Sequence, residues 1–507
     1  MSLRIYNTLT GQVDEFQPLE DNLVRMYTCG PTVYDYAHIG NYRTFVFQDI
    51  LRRYLRYLGY KLEQVMNLTD VDDNTIRNST TAGVPLREYT DRFIQAFEVD
   101  RELLSLEKPE ISARATDHIP EIVNLIQTLM ERGFAYSSEG SVYFRIAASH
   151  DYGKLAKVDF SGIRAGARVD TDKYDKTDAR DFVLWKGAKP GEPFWDTPLG
   201  PGRPGWHIEC SAMSMKYLGP SFDIHSGGVD LIFPHHENEI AQSEAATGKP
   251  FVRFWVHAEH LLVNGEKMSK SLGNYLTLRD LIDRGFRPTA IRYLLASVPF
   301  RKLLNFTLDG LHQAQQSIDR LRNFQFRLTK ERFPGGENAA LQARAQAGRR
   351  AFEEALDDNL NTAEALAAIF DLVREGNTAM DRGEFREGDR GAFLDALERW
   401  DRVFAVLEDT DHAKLRQFGL VKVAESGVAV HTGQTQASAE ESASANGHAV
   451  PVLVESLTDE EIHKQIAERD TARRKGDFAR SDRIRQGLLK AGVILEDTKA
   501  GTRWKRK

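Results

Sequence analysis

Residues 23–68 read LVRMYTCGPTVYDYAHIGNYRTFVFQDILRRYLRYLGYKLEQVMNL, and the changes of period inside this stretch decide the fold. Leu23 to Thr28 is a short apolar run suited to a buried strand, and a loop containing Gly30 and Gly40 follows it. From about Arg43 to Leu58 the apolar residues recur at helical spacing, and Leu62 to Leu68 returns to a strand. Strand, loop, amphipathic helix and strand in so short a span make a βαβ unit, whose crossover sets the two strands parallel. Such sheets bind ligands outside the carboxyl ends of their strands, so the loop after Thr28 is where chemistry is expected.

Working outward, residues from about 115 to 200 mix helical stretches with short β-like pieces and a Gly/Pro-rich segment, Gly187 to Gly205, and read as an insertion. A second parallel half resumes near Phe222. From about Thr307 to Leu407 the pattern is helical, with apolar positions such as Leu311, Ile318, Leu321 and Phe324 recurring at helical spacing along one face. Between Ala424 and Val450 the chain is rich in Ala, Ser, Glu and Gly; it buries too little apolar surface to order itself and reads as a linker. Thr458-Asp459-Glu460-Glu461 then restarts structure as a capping box.

At 507 residues the chain is too long for one core, and 41% hydrophobic with 28% charged residues is ordinary for a globular protein. No apolar run approaches the roughly 18 residues that would span a bilayer. The N-terminal MSLRIYNTLTGQVDEF has no apolar signal core and already carries acids, and two cysteines far apart build no disulfide framework. A reducing, cytoplasmic setting is therefore expected, with no membrane partner. The net charge of −7 is unevenly placed, because residues 456–507 hold 14 Lys and Arg against 9 Asp and Glu. A small basic module thus ends a mostly acidic chain.

Two short motifs suit a triphosphate. Lys267-Met268-Ser269-Lys270-Ser271 sets two lysines in a loop flanked by Asn264-Gly265-Glu266 and Leu272-Gly273-Asn274, residues that permit hinges and turns. His38-Ile39-Gly40-Asn41 stands just before the first long helix, where an imidazole and backbone N–H groups meet an anion and Gly40 lets it approach. Either motif alone is also read as a solvated basic turn or a chance His-x-Gly. Together, at the two ends of an α/β domain, they resemble the two signature sequences of class I aminoacyl-tRNA synthetases. Tyr27 to Asp35, Asn67 to Asp73, Gly205 to Ala212 and Phe233 to Glu239 narrow the resemblance to the cysteinyl-tRNA synthetase family, and Leu495-Glu496-Asp497-Thr498 continues it in the tail.

The residues give this reading a chemical basis. His235 and Glu239 are four apart and share one face if Pro234 opens a helix, a common spacing for metal ligands, while Cys29 and Cys210 are the only thiols. A Cys₂-His-Glu set suits zinc, one ion per chain. Cysteine differs from serine only by sulfur for oxygen, and a pocket separates near-isosteres by about 1 to 3 kcal/mol. Zinc prefers a thiolate far more strongly, so the expectation is that the ion binds the substrate sulfur.

The resemblance implies an α/β fold: a class I Rossmann-like parallel-sheet catalytic domain with a connective insertion, an α-helical bundle and a small C-terminal α+β anticodon-binding module. Its expected division is 1–114 for the first catalytic half, 115–202 for the insertion, 203–306 for the second half with the lysine loop, 307–423 for the bundle, 424–455 for the linker and 456–507 for the basic module. It implies a ligase that activates L-cysteine with ATP and Mg²⁺ to cysteinyl-adenylate and pyrophosphate, then passes cysteine to the terminal adenosine of tRNA-Cys, working as a monomer. His38, Lys267 and Lys270 are the expected catalytic groups; His38, Gly40, Asn41, Asp230 and Lys270 contact ATP; Gly30, Thr69, Trp206 and His225 line the cysteine pocket. Asn41 departs from the family's commonest form, which has histidine there, and can still cap a helix. In the tail, Arg473, Arg474, Lys475, Arg480, Arg483 and Arg485 lie on or around two short helices, and Trp504 offers a stacking surface.

Two other readings compete. A relative that ligates cysteine to an amino sugar would lack a complete tail, and an inactive zinc-dependent RNA binder would gain nothing from phosphate-binding groups at both ends of a site.

Overall fold

An antiparallel hairpin, β1 (Arg4–Asn7) and β2 (Gln12–Glu15), precedes the βαβ unit, a pairing that the short polar stretches gave no reason to expect. The unit itself is β3 (Leu23–Thr28), α1 (Ile39–Tyr57) and β4 (Lys61–Leu68), with the strands parallel from Leu23 opposite Lys61 to Thr28 opposite Met66. In this computed structural model residues 2–157, 181–269, 272–423, 429–431, 459–474, 477–490, 493–498 and 501–506 are described. They form two compact units, Met1–Leu278 with Pro288–Asp409, and Arg279–Arg287 with Thr410–Lys507.

In the first unit α2 (Asp73–Ala82) and α3 (Leu86–Leu103) lead to β5 (Ile111–Arg114), which pairs parallel with β4. The insertion follows as α4 (Ile119–Glu131), β6 (Ala135–Ser138), β7 (Ser141–Phe144), β8 (Phe182–Gly187) and β9 (Gly202–Pro204). Its four strands make their own antiparallel sheet, onto which α4 packs Ile122, Ile126 and Leu129 against Phe144, Phe182 and Trp185. The winding resumes with α5 (Trp206–Leu218), β10 (Phe222–Gly228), α6 (Glu237–Thr247) and β11 (Val252–Ala258). The central sheet runs β11-β10-β3-β4-β5, parallel throughout. Its order reverses between β3 and β10, and the Cys29 N–H donates to the carbonyl of Ser226 there at 3.0 Å. In a doubly wound sheet this reversal opens a crevice at the strand ends.

A small sheet of β12 (Leu261–Val263), β13 (Glu266–Lys267) and β14 (Leu304–Phe306) carries the first lysine of the loop; α7 (Leu278–Asp283) and α8 (Pro288–Ala296) lie between β13 and β14 in the chain. The helical region is α9 (Leu308–Lys330), α10 (Ala339–Asp357), α11 (Thr362–Asp381) and α12 (Arg390–Phe404). Thr307 caps α9, its hydroxyl accepting the Gly310 N–H at 3.0 Å, and the expected Leu311, Ile318, Leu321 and Phe324 are buried.

Helix α1 begins four residues earlier than its apolar period suggests, at Ile39, because His38 and Asn41 cap it reciprocally. Its polar side is not a solvated face. Arg43, Asp49 and Arg52 are buried: Arg43 donates to the carbonyls of Leu295 and Pro299, Arg52 pairs with Glu107 and Glu110, and Asp49 takes Arg53 and the fully buried Arg292 at 2.7 and 2.5 Å. Charges so buried persist only when paired and hydrogen-bonded, and these pairs fix α1 to α8 and the turns beside it.

The second unit contains α13 (Asp411–Gln417), a short antiparallel pair β15 (Val421–Val423) and β16 (Ala429–His431), α14 (Asp459–Arg474), α15 (Phe478–Lys490), and the hairpin β17 (Val493–Thr498) with β18 (Gly501–Arg506). Strand β16 falls inside the stretch read as linker; residues 424–428, 432–455 and the capping Thr458 lie outside the described residues. Ile462, Ile466, Leu488, Val493 and Leu495 form the core of the terminal module, and Trp504 packs partly against it. Arg469 is buried beside Asp470 and Thr502, whereas Arg473, Arg480, Arg483 and Arg485 are exposed.

Candidate active site and metal centre

A cavity of about 530 Å³ opens at the reversal of the sheet. Cys29, Gly30, Thr69, Trp206 and His235 line one part of it; His38, Gly40, Asn41, Asp230, Lys267 and Met268 line another. Eleven residues read as a site or a phosphate loop thus border one space. Lys270 lies outside the described residues. Cys210, His225 and Glu239 do not border the cavity and are fully buried.

Gly30 is there because nothing larger fits: a Cβ would lie 2.0 Å from the Asn67 carbonyl oxygen, and the Gly30 N–H donates to the Asn67 side chain at 2.9 Å. Thr69 is held by backbone bonds to Pro31 and Val33 and by the Asn67 amide, which donates to its hydroxyl at 3.0 Å.

Below these, two overlapping sets of potential ligands converge, Cys29, Cys210, His235 and Glu239, and Cys29, His225, His236 and Glu239. In each set the ligand atoms lie within 4.8 Å of one another. The two sets differ in their access to the cavity. His236 has both ring nitrogens engaged, one with Cys29 Sγ at 3.3 Å and the other with His257 at 2.7 Å, and His257 continues to the Thr8 hydroxyl at 2.8 Å. His225 is stacked on Trp255 and bound to Glu239 Oε2 at 2.8 Å. His235 also has both ring nitrogens approached, Nδ1 by His207 at 3.0 Å and Nε2 by Glu239 at 3.0 Å, but it reaches the cavity, with Trp206 stacked over it at 4.2 Å. The first set faces a ligand in the cavity through Cys29 and His235, and the second histidine pair supports it from behind.

A π-helical turn, Ile232–His236, leads into α6, and Phe233 alone in it departs from helical angles, so helical backbone runs on from Pro234. His235 and Glu239 lie one turn apart on it and meet, Nε2 to Oε1, at 3.0 Å. Burial opposes the charge on both, yet each sustains the other's: Glu239, with Cys210, pushes His235 up to about 10, while His225 and His235 hold Glu239 at about 2. A hydrogen bond with Cys29, together with burial, pushes the Cys210 thiol well up, so it stays protonated until a metal displaces the proton. Glu239 Oε1 is buried and lies 3.0 Å from His235 Nε2 without a hydrogen bond among the described residues. Two thiols, an imidazole nitrogen and an under-used carboxylate oxygen on one centre fit a zinc ion.

At the other end, the His38 backbone N–H donates to Asn41 Oδ1 at 3.1 Å, and the Asn41 N–H is shared between the His38 carbonyl at 2.9 Å and His38 Nδ1 at 3.1 Å. An N–H aimed at Nδ1 makes that nitrogen the acceptor and leaves the ring proton on Nε2. Tyr275 meets the same ring edge-on at 5.2 Å, and Ile39 donates to the Leu276 carbonyl at 2.9 Å, so the chain after the lysine loop is fastened beside His38. Asn274 closes the loop's base, accepting from Ser269 N–H at 2.8 Å and donating to the Lys267 carbonyl at 3.2 Å.

Sequence reasoning gave no role to His236, His257 and Gly227, and read Asn274 only as a turn residue of the loop's flank. The doubled histidine of Phe233-Pro234-His235-His236 was a signal for the first. The adjacent glycines were another, since a Cβ on Gly227 would lie 2.8 Å from the His236 ring.

Residues 15–316 match the model of the tRNA synthetases class I (C) catalytic domain, 351–408 a DALR domain, and 456–504 a cysteinyl-tRNA ligase anticodon binding domain. The chain is 54% identical over 508 residues to a cysteine-tRNA ligase of Koribacter versatilis and 55% identical over 507 to one of Solibacter usitatus, covering 100% of both partners in each pairing. Its backbone resembles a methionyl-tRNA synthetase of Mycobacterium tuberculosis in complex with methionyl-adenylate, with a TM-score of 0.56 at 17% identity over 78% of this chain and 93% of that one. That likeness is one of fold.

Proposed function

We propose a division of labour for the residues of this chain, which belongs to the cysteine-tRNA ligase family. The chain is a ligase that activates cysteine with ATP and joins it to tRNA. The observation that carries the assignment of roles is the single cavity running from Cys29, Trp206 and His235 to His38 and Lys267.

Cysteine occupies the part lined by Gly30, Thr69 and Trp206, with His225 acting from beneath through Glu239. Cys29, Cys210, His235 and Glu239 are the residues that would hold zinc, which when bound favours a thiolate over the hydroxyl of serine. ATP, with Mg²⁺, lies toward His38, Gly40, Asn41 and Asp230. The cysteine carboxylate attacks the α-phosphorus and pyrophosphate leaves, so the protein's task is to position the groups and offset charge on the phosphoryl oxygens. His38 does so through its Nε2–H, and Lys267 and Lys270 from the facing loop.

The terminal ribose of tRNA-Cys then takes the aminoacyl group, with the basic module reading the anticodon. The working unit of this reading is a monomer. No described helix is long and apolar enough to cross a membrane, and two buried free thiols suit a reducing cytoplasm. Cysteine-dependent exchange of pyrophosphate into ATP tests the reading, with serine as control and zinc measured on the same preparation. Exchange with cysteine and about one zinc per chain are expected; exchange equal with serine, or none with either, would overturn it.

A further inference from the structure

We propose that Tyr34 receives the terminal adenosine of tRNA, its ring stacking on the adenine so that the ribose hydroxyl meets the aminoacyl group. This deepens the function proposed above and rests on its placing of cysteine and ATP in one cavity.

Tyr34 borders that cavity on a segment fastened from several sides. The Thr69 N–H donates to the Pro31 carbonyl at 3.1 Å and the Val33 N–H to the Thr69 carbonyl at 3.0 Å, so Thr32 pairs with Thr69 as a short parallel continuation of the sheet. Val33 is turned into the core at 1% exposure, and in extended backbone its neighbours Thr32 and Tyr34 face the other way, toward the cavity that both line. The Tyr34 carbonyl accepts from the Tyr89 hydroxyl at 2.9 Å and from the Asn78 amide at 3.4 Å, which ties the residue to α3 and α2.

The backbone of Tyr34 is therefore held while its side chain is not. The other large rings at the cavity are engaged: Trp206 stacks on His235, Tyr36 meets Phe93 edge-on at 5.4 Å, Tyr275 meets His38, and Phe45 meets Phe97 at 5.3 Å. Tyr34, half-buried, makes no ring contact and no side-chain hydrogen bond among the described residues.

Its place in the chain suits the second step of the reaction. Gly30, at the cysteine end, stands four residues before Tyr34, and His38, at the phosphate end, four residues after it. Between those ends lies the bond that breaks when the ribose oxygen attacks the cysteinyl carbonyl carbon; an ester forms, and AMP leaves with the electron pair and the hydroxyl proton. The attacking ribose must be brought to that junction by its own base. Single-stranded RNA ends present unstacked bases, and proteins take these up on aromatic faces. ATP is assigned to Gly40, Asn41 and Asp230, which leaves the Tyr34 ring to the incoming nucleoside.

The test compares the unaltered full chain with Tyr34→Ala and Tyr34→Phe in two assays. Cysteine-dependent pyrophosphate exchange, with KM for ATP and for cysteine, reads the first step, and transfer from preformed cysteinyl-adenylate to subsaturating tRNA-Cys reads the second. For Tyr34→Ala, exchange and both KM values should stay within about twofold, whereas transfer should slow about five- to hundredfold, the range for loss of one stacked base. Tyr34→Phe keeps the ring and should transfer at close to the unaltered rate. On the unaltered chain, tRNA lacking its terminal adenosine should bind more weakly than intact tRNA, and Tyr34→Ala should remove most of that difference, a coupling that a general loosening of the segment would not produce. A raised KM for ATP, or parallel loss of exchange and transfer, would overturn the proposal. So would transfer by Tyr34→Phe as slow as by Tyr34→Ala, or an undiminished difference between the two tRNAs. A lack of exchange by the unaltered chain would instead overturn the underlying site assignment and this inference with it.

Discussion

Each of the two cysteines is placed by a different element, Cys29 by the end of β3 and Cys210 by the middle of α5, and both are buried within an otherwise apolar cluster. That separation makes Cys210 the cleaner probe, because it does not border the cavity and cannot touch substrate from its wall. Cys210→Ser keeps the volume and exchanges a soft ligand for a hydroxyl that zinc holds poorly. Its burial at 0% exposure adds a desolvation cost of about 1 to 3 kcal/mol, small enough for the fold to survive. Zinc content should drop from about one per chain to near zero and cysteine-dependent exchange should fall with it, as read by metal analysis and exchange on one sample. Retention of both would remove Cys210 from the centre. The residue types of this centre were visible before any coordinates, because two thiols in so long a chain stand out and His235 and Glu239 carry a ligand spacing. The supporting histidines were not, since His257 is a single residue in an apolar strand and only tertiary packing brings it to His236.

Among the elements, α2 and the insertion are joined by charge. Asp73, in the first turn of α2, pairs with Lys186 of β8 at 3.0 Å and with the buried Arg203 of β9. Burial works against its charge, but the two cations prevail and hold Asp73 at about 2, below the ordinary value of 3.8. A carboxylate so lowered stabilises the fold above the unfolded-state value, and that contribution is lost as pH falls through about 2. The Asp73 side chain is 61% exposed, so solvent screens the pair and Asp73→Asn should cost only ~1 kcal/mol. Urea midpoints of the two proteins should differ by a constant amount from pH 7 to about pH 5 and converge below about pH 4. A gap that widens on acidification would assign the stabilisation to another group. This bridge illustrates which links between elements the sequence conceals. Alternation and period identified β3, α1 and β4, because each buries its own apolar face, and Thr307 marked the start of α9. The buried charges of α1 gave no such signal: nothing in the sequence marks Arg43, Asp49 and Arg52 as buried, because their partners are distant in the chain.

At the scale of the whole molecule the separation of charge becomes functional. Residues 456–507 carry 14 basic against 9 acidic side chains in a chain of net charge −7, and a match to an anticodon-binding family covers 456–504. The module has its own small core of Ile462, Ile466, Leu488, Val493 and Leu495, so its exposed arginines are displayed on a folded support. Trp504 contributes to that core and has less ring surface free for stacking than its basic neighbours in sequence suggested, which places more weight on charge. Binding through charge releases counterions, and each phosphate contact contributes about 0.7 to 0.9 to the slope of log affinity against log salt. Every residue bordering the cavity lies between Cys29 and Leu303, outside this module. A chain ending at Glu455 should therefore keep cysteine-dependent exchange within about twofold, while KM for tRNA rises at least tenfold and depends less steeply on salt, as measured by charging at 50 to 200 mM salt. Parallel loss of exchange and charging would mean that the module supports the catalytic unit and does not act mainly as its reader of tRNA.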